Sequence, residues 1–239
     1  MAIEATYFSL VMQVLNRLVD VPRPINALFL SYPDLLLSRK DLLGYFSSED
    51  LDRLPMRPDS DDIWRWHGMA GNSEPIVDSV ALFSALGVRS TIIDIVAARG
   101  VEEIVDLNFP LNERLVGQFD LVVDTGTCEH CFNVGQAFAN ACLAVKKGGY
   151  LIHAAPMTRT NHGFWNFCPT VYPDFFGDNG FVLEFMSGMN VDMKNGWSPF
   201  SVSAARFTAP SESIIFVVAQ RNEIRPLVWP VQGKYRTNK

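Results

Sequence analysis

A chain of 239 residues that is 48% hydrophobic, with 17 Phe and 5 Trp, can bury a sizeable core, which excludes an intrinsically disordered protein. Its 26 acidic against 20 basic residues give a net charge of -6, the wrong sign for a fold that wraps nucleic acid through phosphate contacts. No apolar run approaches the roughly 20 residues of a bilayer-crossing helix, and no secretion signal opens the chain. Four cysteines clustered mid-chain are too few for a disulfide scaffold, so a reducing, cytoplasmic setting is expected.

In chain order, Ile3, Tyr7, Leu10, Val14 and Leu18 recur at spacings of three and four, which predicts an amphipathic helix over 3–19 laid against a core. Pro22 and Pro24 end it. A strand follows at 26–30, then Ser31-Tyr32-Pro33-Asp34 as a loop, and a helix over 39–46 capped by Ser38. Residues 47–60 are polar and read as surface loop, with Ile63, Trp64 and Trp66 covering some apolar surface. A helix over 74–86 is predicted from Ile76, Val80, Phe83 and Leu86, stopped by Gly87.

From there strands and helices alternate. Strands are predicted at 91–95, 103–107, 119–124, 150–155, 181–186 and 214–219, with helices at 134–145 and 170–178. Lys146-Lys147-Gly148-Gly149 reads as a turn between helix and strand. Apolar strands alternating with helices predict an α/β fold: a doubly wound, mostly parallel Rossmann-like sheet with helices on both faces. The organisation expected is an N-terminal helical addition over 1–24, the α/β domain over 25–230 and a loose basic tail over 231–239.

In such a sheet a ligand binds beyond the carboxyl ends of the strands, where the strand order reverses. The residues there are Asp94, Asp106 and the run Asp124-Thr125-Gly126-Thr127-Cys128-Glu129-His130. Acids at two neighbouring strand ends suit a nucleoside, since one carboxylate can accept from both ribose hydroxyls.

The stretch 119–180 resembles a class I S-adenosylmethionine-dependent methyltransferase domain. The carrying residues are Phe119-Asp120-Leu121-Val122-Val123-Asp124-Thr125-Gly126-Thr127-Cys128-Glu129-His130, a helix, Lys146-Lys147-Gly148-Gly149 and the strand Tyr150-Leu151-Ile152-His153. Asn161-His162-Gly163-Phe164 is similar to a segment found in a subset of methyltransferase-like proteins.

The resemblance implies S-adenosylmethionine as cofactor. Asp94 would hold its ribose, Asp106 and Leu107 would frame the adenine, and Asp124, Thr125 and Gly126 would face the methionine end. Asp34, in the loop after the first strand, belongs to the same expected set. His130 or His162 would be the base that removes the acceptor's proton. The acceptor expected is a small molecule, saccharide-like, rather than nucleic acid or a membrane, and a protein partner or a second copy of the chain stays open.

One departure is plain. Such domains carry a glycine-rich turn after the first strand, and here Ser31 stands where the first glycine belongs. About 60 residues separate that strand from the next, against about 30 for an ordinary crossover unit. This motivates the alternative of a catalytically inactive methyltransferase-like fold serving in binding or assembly. A nicotinamide-dependent oxidoreductase is disfavoured for want of G-x-G-x-x-G. Cys128, His130 and Cys131 have near-zinc spacing but no second pair, so no metal is expected.

Overall fold

The computed structural model of the protein describes residues 1–192 and 196–236. It opens with β1 (Ala2–Ile3) and α1 (Ala5–Arg17), followed by β2 (Ile25–Phe29) and β3 (Asp34–Leu35). Four short helices come next: α2 (Arg39–Leu42), α3 (Ser48–Asp52), α4 (Ser60–Trp66) and α5 (Ser79–Ala85). The remainder is β4 (Val88–Asp94), β5 (Glu103–Ile104), β6 (Phe119–Thr125), α6 (Val134–Ala144), β7 (Val145–Pro156), α7 (Val171–Asp178), β8 (Phe181–Asp192), β9 (Gly196–Phe200) and β10 (Ser213–Arg221).

Eight strands form one sheet in the order β5-β4-β2-β6-β7-β10-β8-β9. β5, β4, β2, β6 and β7 are mutually parallel, and β10 runs antiparallel to both β7 and β8. The chain reaches the middle of the sheet first at β2, builds outward to β5, then returns beside β2 with β6. That reversal between β2 and β6 is the switch point where a doubly wound sheet opens a crevice.

Side chains alternate across the sheet. Ala27, Phe29, Ile92, Leu121, Val123, Ile152 and Phe216 face a cluster that includes α1 and the short helices, whereas Leu28, Ile93, Val122, Leu151 and Val217 face α6 and α7. The predicted N-terminal helix is therefore packed onto the sheet, burying Tyr7, Phe8, Leu10, Val11, Val14 and Leu15. No helix among the described residues is long and apolar enough to cross a membrane.

The segment between β2 and β4 is a helical insertion, which accounts for the long separation in sequence. Three of its four helices, α2, α3 and α5, stand on side-chain caps rather than on long amphipathic stripes. Ser38 and Asp41 form a reciprocal capping box, Ser47 accepts from the Asp50 amide, and the Asp78 carboxylate accepts from the Ala81 amide. Residues 47–60, expected as loop, contain α3, which is anchored by buried Leu51. The helix expected over 74–86 begins only at Ser79, because Ile76 and Val77 are buried in extended chain and Val77 bridges to Met56. Trp64 is buried with its Nε1–H donating to the Glu74 carbonyl, but Trp66 is 81% exposed and covers no core.

Two further expectations change. The Gly148-Gly149 turn is part of β7 and fits against β6: a Cβ on Gly149 would lie 2.9 Å from the carbonyl oxygens of Phe119 and Asp120. The C-terminal segment is anchored as far as Arg236, whose guanidinium donates to both Asp178 carboxylate oxygens of α7. The last three residues expected in the tail lie outside the described residues.

Candidate functional site

A cavity of about 1120 Å³ lies along the carboxyl ends of the parallel strands. That is just above the roughly 300–1,000 Å³ of ordinary ligand pockets, large enough for two reactants side by side. One end is walled by Asp94 at the end of β4, by Val96 beyond it, and by Asp106, Leu107 and Asn108 after β5. The middle is Ser31, Met1, Thr125, Gly126 and Thr127, at the switch point between β2 and β6. The far end is Glu4, Tyr7, Arg159, Trp197 and Ile214. Ile214 comes there because β10 runs antiparallel, pairing its first residues with Pro156 at the end of β7.

The pleat decides which strand-end residues see this cavity. Ser31, Asp94 and Thr125 continue the face carried by Phe29, Ile92 and Val123. Ser31 Oγ donates to Asp94 Oδ2 at 2.5 Å, and the Val96 amide donates to Oδ1 at 3.2 Å. The Asp94 carboxylate is thereby aimed and keeps acceptor capacity toward the cavity.

Asp106 Oδ1 accepts from the Asn108 amide and side chain, which shapes the turn after β5. Asn140 of α6 secures that turn from behind: its Nδ2 donates to the Leu107 and Phe109 carbonyls and its Oδ1 accepts from the Leu111 amide. A buried amide inside an otherwise apolar helix was the sequence signal for this clamp.

Asp124 is elsewhere. It follows Val122 on the opposite face, is fully buried, and does not line the cavity. Its Oδ2 lies 2.9 Å from Nδ1 of His153, the cross-strand partner on β7, and its Oδ1 accepts from the Thr127 amide. Burial pushes the carboxyl's pKa up, but the hydrogen bond and charge of His153, with the Cys128 thiol and the Thr127 amide, outweigh that and hold it below the carboxylate range. An ionised carboxylate only accepts, so the proton of this pair sits on Nδ1. Asp124, Cys128 and His153 thus form a fully buried cluster off the cavity wall, their ligand atoms within 4.8 Å of one another.

Asp34 does line the cavity, but its carboxylate is committed. Arg99 donates to it through Nε at 3.2 Å and Nη2 at 3.0 Å, and His67 Nε2 lies 3.0 Å from Oδ2. Burial would raise its pKa, and the bonds from His67 and Arg99 reverse the sign. The place of a glycine-rich turn is taken by the first residues of the chain. β1 pairs with β3, the Thr125 hydroxyl donates to the Ala2 carbonyl, and the Met1 sulfur lies 3.2 Å from the Thr125 amide.

His130 and His162 are brought together, their ring centroids 5.3 Å apart, both partly exposed at the cavity wall. Between them lies Glu129, 1% exposed, with neither carboxylate oxygen hydrogen-bonded among the described residues. Its Oε1 is 3.6 Å from His162 Nε2 and 4.0 Å from His130 Nε2. The sequence places this acid in the strand-end run without assigning it a role. The aromatic residues Phe164 and Trp165, which follow His162, are exposed against Phe132 outside the cavity lining, and Phe167 is buried in the core.

Glu4 was also missed. It precedes α1 and lines the far end of the cavity, where burial pushes its carboxyl up to about 7 despite the opposing pull of Arg159. Between its ordinary value of 4.5 and about 7 the folded state holds a proton that the unfolded state has lost, so stability falls as pH rises through that window. Glu4→Gln should flatten this dependence and raise stability at about pH 8 by up to about 3 kcal/mol. Urea unfolding of both proteins at about pH 5 and about pH 8 checks it; parallel pH slopes would show that Glu4 is not the source.

No protein-family model and no curated protein matches the sequence. Among solved structures the chain is similar to methyltransferases. One is 1,6-didemethyltoxoflavin-N1-methyltransferase of Burkholderia thailandensis, with bound 1,6-didemethyltoxoflavin and S-adenosylhomocysteine: TM-score 0.46, 13% identity, 88% of this chain and 77% of that one. The N-methyltransferase NodS of Bradyrhizobium japonicum, in complex with S-adenosylhomocysteine, gives a TM-score of 0.45 at 12% identity over 91% and 88% of the two chains. The CurJ carbon methyltransferase gives 0.46 at 11% identity, over 92% of this chain but 54% of that one. The likeness is one of fold.

Proposed function

We propose that the protein binds S-adenosylmethionine in the strand-end cavity and transfers its methyl group to a small-molecule acceptor. The observation that carries this reading is the pair of acids at one end of the cavity. There Asp94, aimed by Ser31, and the clamped Asp106-Leu107-Asn108 turn sit at neighbouring strand ends. A carboxylate held this way can accept from both hydroxyls of a ribose, and buried Leu107 offers an apolar surface for a base. Gly126, with φ of +106°, leaves the turn after β6 without a side chain beside the cavity.

When bound, the cofactor supplies a methyl group on a sulfonium, which an acceptor's electron pair takes as the carbon–sulfur bond breaks. The chain's part is to align the two reactants in a water-poor cleft, where orientation alone supplies much of the rate. Glu129, His130 and His162 are placed to take up the acceptor's proton. Tyr7, Trp197 and Ile214 give the acceptor an apolar wall, with Arg159 and Glu4 as its polar contacts. The four cysteines are free thiols, which supports a reducing, cytoplasmic setting.

Titration calorimetry with S-adenosylhomocysteine tests the reading, followed by transfer of labelled methyl to a panel of saccharide and phenolic acceptors. No heat at saturating ligand would overturn it. His162→Ala should lower turnover by roughly 10²–10⁴-fold with S-adenosylhomocysteine affinity little changed, the range expected for loss of a general base. His130→Ala should cost less, since His130 is the farther from Glu129.

One arrangement favours the second reading, a binding or assembly role without catalysis. The Met1 sulfur and Ala2 carbonyl engage Thr125 at the place where the cofactor's methionine end would lie. Under that reading calorimetry finds no cofactor binding.

A further inference from the structure

We propose that Glu129, His130 and His162 form a binding site for one first-row divalent transition-metal ion, of the zinc class, with an open coordination position facing the cavity. Each residue offers one ligand atom, and the three atoms lie within 4.8 Å of one another. Two pairs are shorter, 3.6 and 4.0 Å. Around an ion bound to nitrogen and oxygen at about 2.1 Å in tetrahedral geometry, donors stand about 3.4 Å apart. Closing the difference takes a small rotation of the two imidazoles, whose side chains are 50% and 35% exposed.

The carboxylate is built in rather than incidental. Glu129 is buried with neither oxygen receiving a donor among the described residues, a costly state unless a cation or proton is supplied. Two glycines make the arrangement sterically accessible. A Cβ on Gly126 would lie 3.1 Å from Glu129 Oε1, and one on Gly163 would lie 2.9 Å from the Glu129 carbonyl oxygen. The loop carrying His162 is tied to that same carbonyl by the Phe164 amide at 2.9 Å and the Trp165 amide at 3.3 Å. Asn161 takes up the turn with φ of +61°. Backbone hydrogen bonds thus hold His162 against Glu129 independently of any ligand.

Two neutral imidazoles and one carboxylate select zinc, iron(II), cobalt or manganese over calcium and magnesium, which prefer all-oxygen sets. Three protein ligands leave a position for an outside oxygen or nitrogen, the arrangement of catalytic rather than structural sites. Resting on the proposed methyl transfer, that position would bind the acceptor's hydroxyl or amine and make it more acidic; with the ion bound, this acidification replaces proton uptake by the three side chains, whose electron pairs are then on the metal.

The test titrates Co²⁺ into the metal-free full-length protein, following visible absorption, with Zn²⁺ as competitor. Expected is one ion per chain, displaced by Zn²⁺, without a thiolate charge-transfer band. Nearby Cys131 is outside the set: its Sγ is directed at the Thr127 carbonyl, 3.8 Å away, and only the ligand atoms of Glu129, His130 and His162 converge. Glu129→Gln and His162→Ala should each weaken Co²⁺ binding by more than about 100-fold, beyond the roughly 10–100-fold that loss of an outer-shell partner costs. His162 is a partly exposed loop residue, so its variant separates lost ligation from misfolding. Gly163→Ala should weaken binding without removing a ligand. No Co²⁺ binding, unchanged binding in both ligand variants, or a thiolate band would overturn the proposal. Metal binding in a protein that gives no heat with S-adenosylhomocysteine would uphold the site and remove the methyl-transfer reading alone.

Discussion

Asp124→Ala should destabilise the protein by about 2–5 kcal/mol, the range for opening a buried cavity and leaving buried hydrogen-bond donors without an acceptor. The cost has identifiable sources. His153, fully buried, would keep an Nδ1 donor with no acceptor, while its Nε2 already has no partner among the described residues. The Thr127 amide would lose its acceptor at the mouth of the β6 turn, and a cavity would open beneath Phe138 and Phe167, which pack on the His153 ring. Asp124→Asn keeps the volume and one acceptor, so it should cost less. The pH dependence has a definite sign. Because the folded carboxyl is held below its unfolded value near 3.9, its contribution is present above that value and is lost as pH falls through the folded one. Urea unfolding at neutral and acid pH measures both. If Asp124→Ala folds with near-native stability but loses S-adenosylhomocysteine affinity, Asp124 belongs to the ligand site and not to the foundation under it.

That distinction shows how far the sequence could be read. The apolar strands were legible because a sheet buried on both faces leaves uninterrupted runs such as 121–123 and 214–219. The direction of β10 was not, since an apolar run looks the same whichever way it is paired. Two of the insertion's helices, α3 and α4, escaped periodicity because five to seven residues complete one or two turns; the Ser47 cap was the better signal for α3, and α4 has no side-chain cap. β1 and β3 are two-residue strands fixed by tertiary pairing alone.

At the site, proximity to a strand end was treated as facing the cavity, yet the two differ by one residue of pleat. Counting the alternation from Leu121 and Val123 puts Thr125 on the cavity side and Asp124 with Val122 and His153 on the other. The same count applied to Ile92 puts Asp94 on the cavity side. Glu129 and Glu4 were passed over for a different reason. An acid beside a helix start has an ordinary explanation in the helix dipole, and nothing local in the sequence says that tertiary packing will bury it.

Asp94→Ala is the sharpest probe of the nucleoside end, and its expected effect lies on binding rather than on folding. Asp94 is half-buried, and both of its protein bonds are to neighbours that water can reach, Ser31 Oγ and the Val96 amide. A carboxylate accepting from two ribose hydroxyls makes two hydrogen bonds to a charged group, each worth about 1.5–3 kcal/mol. Their loss should weaken S-adenosylhomocysteine by roughly 10²–10⁴-fold, with little change in unfolding free energy. Ser31→Ala should act through the same contact more weakly, leaving roughly a tenth to a hundredth of the affinity, since it frees the carboxylate to turn without removing it; Ser31→Thr, which keeps the hydroxyl, should restore what is lost. Adenosine alone should follow the same ranking as the whole ligand, because the methionine end takes no part in the contact. Equal affinity for S-adenosylhomocysteine in folded Asp94→Ala would remove the ribose from this carboxylate. The crevice between β2 and β6 would then have to serve a ligand of another shape, and Ser31 would be an ordinary loop serine bonded to an ordinary strand-end acid.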